Sequence, residues 1–111
     1  QNASGGIPTV KGQRLIPTAW VNFNMVTTSI RDSDNVSSIA DIGVGRFQIN
    51  FATAMANANY GYAASGWSDR VIGSDPGYNP LTTAININSY NTATAYSDSQ
   101  WVGLVVLGGQ A

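Results

Sequence analysis

The acidic side chains of this 111-residue chain are the ones best suited to catalysis, and all six are aspartates. The chain has no histidine, cysteine or glutamate, which excludes a Ser-His-Asp triad and a Cys-His pair. Two carboxylates can cleave a glycosidic bond, and Asp69 with Asp75 is the pair to consider. A polysaccharide-cleaving enzyme usually needs a longer groove than a domain of this size supplies. We therefore predict that the protein is not an enzyme and that its aspartates serve as turn formers.

Asp32 and Asp34 are separated by one residue, as oxygen ligands often are in calcium-binding loops. No glutamate follows to close a bidentate site, and no glycine stands where such a loop turns. The sequence therefore predicts no metal site and no cofactor. Both aspartates are expected to cap a tight turn between strands.

The segment 66–80, GWSDRVIGSDPGYNP, is the least strand-like part of the chain after its N-terminal lead-in. It combines turn formers with aromatic and charged side chains, as recognition loops often do. A sugar requires a flat apolar ring with hydrogen-bonding groups beside it. We predict a binding surface formed by Trp67, Asp69, Arg70, Tyr78 and Asn79.

The three tryptophans differ in context. Trp67 stands beside polar residues, although it could equally fold back over the edge of the domain or over a neighbouring subunit. Trp20 and Trp101 lie inside strand patterns next to valines. Both are expected in the core or at a subunit interface.

β-strands must position these side chains, because short alternating runs recur at intervals of about ten residues. Residues 1–17 are rich in glycine and proline and are predicted to form an extended lead-in or linker before one domain, 18–111. No helix is predicted, since the helix-permissive run 52–58 is short. We expect an all-β fold, an antiparallel β-sandwich. The predicted strands are 20–30, 35–40, 46–51, 59–64, 84–90 and 100–107, with a turn at 41–45.

The clearest alternation runs from Arg46 to Phe51 and places Phe47, Ile49 and Phe51 on one face, which is the predicted core face. The closing strand, 100–107, is nearly continuous in apolar residues, which suggests burial on both of its faces. It carries more apolar surface than one face of a small two-layer domain is expected to bury. This surplus predicts a homotrimer.

Composition excludes several kinds of partner. The net charge is −1 and the five basic residues are scattered, so no stripe could neutralise a run of phosphates and nucleic acid is not expected. The apolar run 102–107 is far shorter than the roughly 20 residues that span a bilayer, so no membrane insertion is expected. The absence of cysteine leaves the redox compartment undetermined. The chain begins with glutamine and without a leader, and we expect a fragment of a longer protein.

Ordered motifs occupy the stretch from Pro17 to Tyr60. They read P-T-A-W-V-N-F-N, then I-R-D-S-D-N-V-S-S-I, a D-I-G-V-G turn, and a R-F-Q-I-N-F strand followed by A-N-Y. In order and spacing these motifs resemble a recurrent C-terminal domain of bacteriophage tail fibres and related virion proteins. The resemblance covers somewhat under half of the chain. The segment 66–80 falls outside it.

The resemblance implies a virion protein, a homotrimer at a fibre tip attached to an upstream tail-fibre shaft and made in the host cytoplasm. It implies host attachment without chemistry, through a bacterial surface polysaccharide, lipopolysaccharide or outer-membrane protein. Two alternatives remain open. One is a structural trimerisation or capping domain of a fibre, and the other is a secreted carbohydrate-binding module.

The predicted core face can be tested by substitution. Phe47→Ala or Ile49→Ala should lower the free energy of unfolding by roughly 2 to 5 kcal/mol, because each removes a buried side chain and leaves a cavity. Gln48→Ala should change it little. Chemical denaturation measures all three, and a sensitive Gln48 beside a tolerant Ile49 would reverse the predicted register.

Overall fold

A computed structural model describes residues 16–67, 70–74 and 79–109. Within them the chain forms eight β-strands and no helix, so the all-β prediction is confirmed. The predicted lead-in, 1–17, lies almost wholly outside these residues. The strands are β1 (Ala19–Asn24), β2 (Ser29–Asp34), β3 (Val36–Gly43), β4 (Arg46–Phe51), β5 (Tyr60–Gly66), β6 (Val71–Ser74), β7 (Ala84–Tyr90) and β8 (Val102–Gly108).

The strands form two four-stranded antiparallel sheets. Sheet A has the order β2-β1-β8-β5, and sheet B has the order β3-β4-β7-β6. Alternate side chains of each sheet point inward and form one core, as in a β-sandwich. Phe23 of sheet A packs on Phe47 of sheet B, with 5.7 Å between ring centroids. Ile49 and Phe51 are buried beside Phe47, which confirms the predicted core face.

Because neighbouring strands along the chain run in opposite directions, their connections divide between the two ends of the sandwich. One end, called the loop end here, carries the β1–β2, β3–β4, β5–β6 and β7–β8 connections. The opposite end, the far end, carries the remaining three connections. This division decides which sequence segments can contribute to one surface.

Residues 20–24 and 29–30 form strands as predicted, but 25–28 form a turn that separates β1 from β2, so the prediction was wrong for those four residues. The Asn24 side chain is the physical reason, because its Oδ1 accepts hydrogen bonds from the backbone N–H groups of Val26 (2.8 Å) and Thr27 (3.3 Å). Such side-chain acceptors compete with the ladder of a sheet. Thr28 completes the turn with a φ of 53°.

Asp32 lies inside β2, where its Oδ1 accepts from Ser33 N–H, so it does not cap a turn between strands as predicted; Asp34 is the last residue of β2. The β2–β3 connection is the single residue Asn35, which has a φ of 56° and is buried. Its Nδ2 donates to the carbonyl oxygens of Thr18 (3.0 Å) and Thr53 (3.2 Å), and its Oδ1 accepts from Thr53 N–H (2.6 Å). One amide side chain therefore ties three segments together at the far end.

The predicted turn 41–45 is shorter than expected. β3 continues to Gly43, so only Val44 and Gly45 connect it to β4. Asp41 keeps the expected role of turn former, since its Oδ1 accepts from Gly43 N–H at 3.0 Å.

The closing strand is not buried on both faces. Val102, Leu104 and Val106 point into the core, whereas Val105 and Leu107 are 40% and 45% exposed in the single chain. The strand with buried residues on both of its faces is β7, from Ala84 to Ser89. Its outward residues Asn86 and Asn88 are polar, so the alternation of polar and apolar residues in the sequence does not predict that they are buried.

Tyr60 closes the far end of the core. Its hydroxyl donates to Leu81 O at 2.8 Å and lies 3.3 Å from Ala84 O, and its ring meets Phe51 edge-on at 5.8 Å. Burial raises the pKa of Tyr60 from 10.0 to about 12, and the hydrogen bond to Leu81 opposes this only in part. The folded state therefore favours the neutral phenol.

This pKa shift predicts a loss of stability at alkaline pH. The unfolded chain ionises Tyr60 near pH 10, so its stabilising contribution is complete below pH 10 and is lost as the pH rises towards 12. Between pH 9 and 11 the free energy of unfolding should fall by about 1 kcal/mol from this group. Tyr60→Phe should be less stable at pH 9 but lose less on moving to pH 11. Urea unfolding at both pH values measures the difference. An equal loss of stability between pH 9 and 11 in the wild type and in Tyr60→Phe would contradict the raised pKa of Tyr60.

Candidate functional site

The segment 66–80 does not form one loop. Strand β6 (Val71–Ser74) runs through it and pairs with β7, and the side chain of Ile72 packs against the core. Trp67 and Arg70 therefore lie at the loop end, whereas Asn79 precedes β7 and lies at the far end. Asp69 and Tyr78 fall outside the described residues, as does Asp75. The predicted surface therefore combines residues from opposite ends of the domain. The β-branched pair Val71-Ile72 was the sign of a strand that the sequence analysis missed.

The structure brings Trp67 together with Trp101, which the sequence assigned to the core or to a subunit interface. Trp67 follows the last residue of β5, and Trp101 precedes the first residue of β8. Gly66 and Val102 are directly paired in sheet A, so both tryptophans emerge at the same edge. They are 52% and 47% exposed. Neither ring is part of the core of the single chain.

A buried serine fixes the backbone of both tryptophans. The N–H of Trp67 donates to Ser99 Oγ at 3.1 Å, and the same hydroxyl donates to the carbonyl oxygen of Trp101 at 2.8 Å. Ser99 is 1% exposed, so water does not compete for these bonds. The positions from which the two rings project are therefore held independently of any ligand.

We call residues 97–100 the junction segment. The other loops at this end form hydrogen bonds to it. Met25 N–H of the β1–β2 turn donates to Ser99 O at 2.9 Å. Gly45 N–H of the β3–β4 turn donates to Asp98 Oδ1 at 2.6 Å, and Arg70 Nε donates to Asp98 O at 3.1 Å. Every other connection at the loop end is thus bonded to the junction segment.

Gly45 shows how closely the backbones approach there. Its φ is 66°, and a Cβ at this position would lie 2.6 Å from both Ser89 O and Ser97 N. A side chain would therefore be strained by its backbone conformation and by contact at once. The second glycine of the D-I-G-V-G motif is needed for folding, and it does not imply a ligand.

All three arginines of the described residues contribute to the loop end. The Arg31 guanidinium carbon lies 3.5 Å from the centroid of the Trp101 ring, and Nη2 donates to Gln100 O at 2.6 Å. The Arg46 guanidinium lies 5.6 Å from the Tyr96 ring centroid. With Arg70, whose Nε donates to Asp98 O, these residues place guanidinium groups around the junction segment, which itself contains the Asp98 carboxylate.

A pocket of about 350 Å³ lies beside this surface, at the sheet B side of the loop end. The Asn91 side chain shapes its rim, because Oδ1 accepts from Ala93 N–H (2.9 Å) and Ala95 N–H (3.2 Å). Tyr90 stacks on Tyr96 with 4.9 Å between centroids. Sequence reasoning missed this pocket, whose only signal is two tyrosines flanking a short N-T-A-T-A run. It is lined by Val71, Tyr90, Asn91, Thr92 and Thr94.

The loop end is suited to binding. Two half-exposed indole rings offer flat apolar faces, and guanidinium, hydroxyl and amide groups surround them. Among the described residues, no three metal-ligating side chains lie close enough together to hold an ion. The same part of the chain contains no helix long and apolar enough to cross a membrane.

Comparisons with protein-family models, with curated proteins and with solved structures found no match to this chain. The resemblance to tail-fibre domains therefore rests on the sequence motifs alone. The structure gives several residues of those motifs, Asn35, Asp41, Gly45 and Tyr60, a part in folding.

Proposed function

We propose that this protein is a non-enzymatic attachment domain of a phage tail fibre, and that its loop end binds a glycan on the bacterial surface. The observation that carries the proposal is the pair Trp67 and Trp101, both half-exposed at one edge and both anchored through Ser99. Sugars bind to proteins by stacking the C–H face of a ring on an aromatic side chain. Exposed indoles on a fixed backbone are suited to that contact.

Preorganisation makes such a site effective despite its small size. Ordering a side chain or loop on binding costs about 0.5–1.5 kcal/mol for each flexible side chain. The loops of the loop end are already hydrogen-bonded to the junction segment. Fewer groups therefore have to be ordered when a ligand binds, and less binding free energy is lost. Several copies on a virion would then convert weak single sites into firm attachment.

The proposed site retains part of the surface predicted from sequence. Trp67 and Arg70 belong to it, and Trp101 and Arg31 are added. Asn79 lies at the far end and is not included. Asp69 and Tyr78 remain predictions of the sequence. The aromatic surface is our reason for proposing a surface polysaccharide or lipopolysaccharide as the ligand in place of an outer-membrane protein.

Trp67→Ala tests the site directly. The ring is 52% exposed, so the variant should stay folded and oligomeric, with a melting temperature only a few degrees lower, corresponding to under roughly 1 kcal/mol. Adsorption to host cells should fall at least about tenfold, because aromatic anchors commonly contribute about 2 kcal/mol at binding surfaces. Inhibition of phage adsorption by the purified domain measures the effect.

Leu81→Ala is a matched control, since Leu81 is 54% exposed but lies at the far end. It should leave adsorption unchanged. Unchanged adsorption by a folded Trp67→Ala protein would show that the receptor binds elsewhere. The pocket lined by Val71 and Tyr90 would then be the next place to test. An unfolded or monomeric variant would instead assign Trp67 to a structural contact.

A second candidate function, trimerisation or capping of a fibre, is favoured by the outer face of sheet A. Trp20, Val105 and Ala63 lie side by side across three strands, and Leu107 follows opposite Gly61. A depression of about 280 Å³ lies next to Val105. An apolar face of this kind normally marks an interface between proteins. We propose a homotrimer in which this face is covered, with the loop end left accessible.

The trimer predicts how two exposed positions respond to charge. Leu107→Asp should convert the domain to a monomer, because it places a carboxylate in the apolar interface. Val26→Asp, at a site in the β1–β2 turn that is 57% exposed against 45% for Leu107, should leave the oligomer intact. Native mass spectrometry distinguishes the species. A wild-type mass of about 12 kDa at micromolar concentration, the mass of one chain, would overturn the trimer.

A further inference from the structure

We infer that the glycan recognised at the loop end is acidic and that Arg31 binds its carboxylate. This inference rests on the proposed glycan-binding function and specifies its ligand class. Arg31 is exposed, belongs to a strand and lies directly on Trp101. It therefore combines a fixed cation with the aromatic surface to which the sugar would bind.

A β-bulge presents Arg31 at this surface. Asn22 pairs with Asp32, while the next residue, Phe23, pairs with Ile30, so Arg31 is the additional residue of β2. Such bulges bend a strand and redirect its side chains. The Arg31 side chain reaches across β1, where Nη1 lies 3.4 Å from Asn22 Oδ1, and continues to the ring of Trp101.

The orientation of the guanidinium leaves donors for a ligand. It lies over the Trp101 ring, and the described residues supply two acceptors, Asn22 Oδ1 and Gln100 O. A guanidinium carries five N–H groups in one plane. These two bonds leave three N–H groups, and Arg31 is exposed, so a guanidinium in this position can donate to a ligand carboxylate.

The acceptors of Arg31 in the described part of the chain are an amide oxygen and a carbonyl oxygen, not a carboxylate. Asp32 Oδ1 accepts from the N–H of Ser33 at 2.9 Å, and Asp98 Oδ1 accepts from Gly45. One face of Trp101 is covered by the guanidinium, so Trp67 is the ring on which the sugar would stack while Arg31 holds its acidic group.

The experiment compares three small probes on the full chain by NMR: sodium glucuronate, its neutral methyl ester, and glucose. Indole N–H signals report Trp67 and Trp101, and the Nε–H signal reports Arg31. We expect glucuronate to shift these signals, and the ester and glucose to bind at least about tenfold more weakly, since a charge-assisted hydrogen bond is about twice as strong as a neutral one.

Two variants separate the charge from the geometry. Arg31→Gln should bind glucuronate only about as weakly as the wild-type protein binds the ester. Arg31→Lys keeps the charge but lacks the planar guanidinium, so its affinity for glucuronate should lie between those of the wild type and of Arg31→Gln. It serves as the test if Arg31→Gln is unfolded. A far-ultraviolet circular dichroism spectrum establishes folding in each case.

The outcomes distinguish the two proposals. Equal binding of glucuronate, ester and glucose at the tryptophans would overturn the acidic ligand class and leave glycan attachment standing. Glucuronate binding that survives in folded Arg31→Gln would overturn the role of Arg31. No response of either indole to any of the three sugars would count against both proposals together.

Discussion

The loop end depends on the hydrogen bonds of one short segment, residues 97–100. Loops seldom have fixed structure unless their backbone groups find partners. Here the other three connections of this end donate to the junction segment, and two of its acceptors, Ser99 Oγ and Asp98 Oδ1, belong to short side chains with little conformational freedom. The positions of Trp67, Trp101 and Arg31 follow from that arrangement. The proposed binding surface is made of loops, and these hydrogen bonds fix the loops to one another.

Two polar side chains, Asn35 and Tyr60, hold the far end together in a similar way. Asn35 satisfies three backbone groups of two segments, and Tyr60 closes the core while donating to Leu81 O. Both residues belong to the motifs that resemble tail-fibre domains. Those motifs therefore describe how the sandwich is built, and they are compatible with many different ligands. This explains why the resemblance bears on the context of the protein more than on its binding partner.

The outer face of sheet A has to accommodate two proposed roles. Its loop-end edge carries the two exposed tryptophans, whereas its middle rows carry Trp20, Val105 and Leu107. Rows of a sheet are separated along the strand by about 3.3 Å per residue, so the two regions are distinct but adjacent. Subunits that cover the middle rows would place three loop ends close together. Such an assembly would bring three weak sites within reach of one surface polymer.

Alternation in the sequence was sufficient to determine the all-β class and the inward face of β4, because the side-chain period of a strand is local. It failed where one polar side chain terminates a strand, as Asn24 does, and where β6 interrupts a segment rich in turn formers. The candidate site was only partly predictable. Trp67 was predicted from its neighbours, but its position beside Trp101 comes from sheet A, in which distant strands lie side by side. Which residues share a surface depends on strand order and on hydrogen bonds between remote loops, and only the tertiary structure decides these.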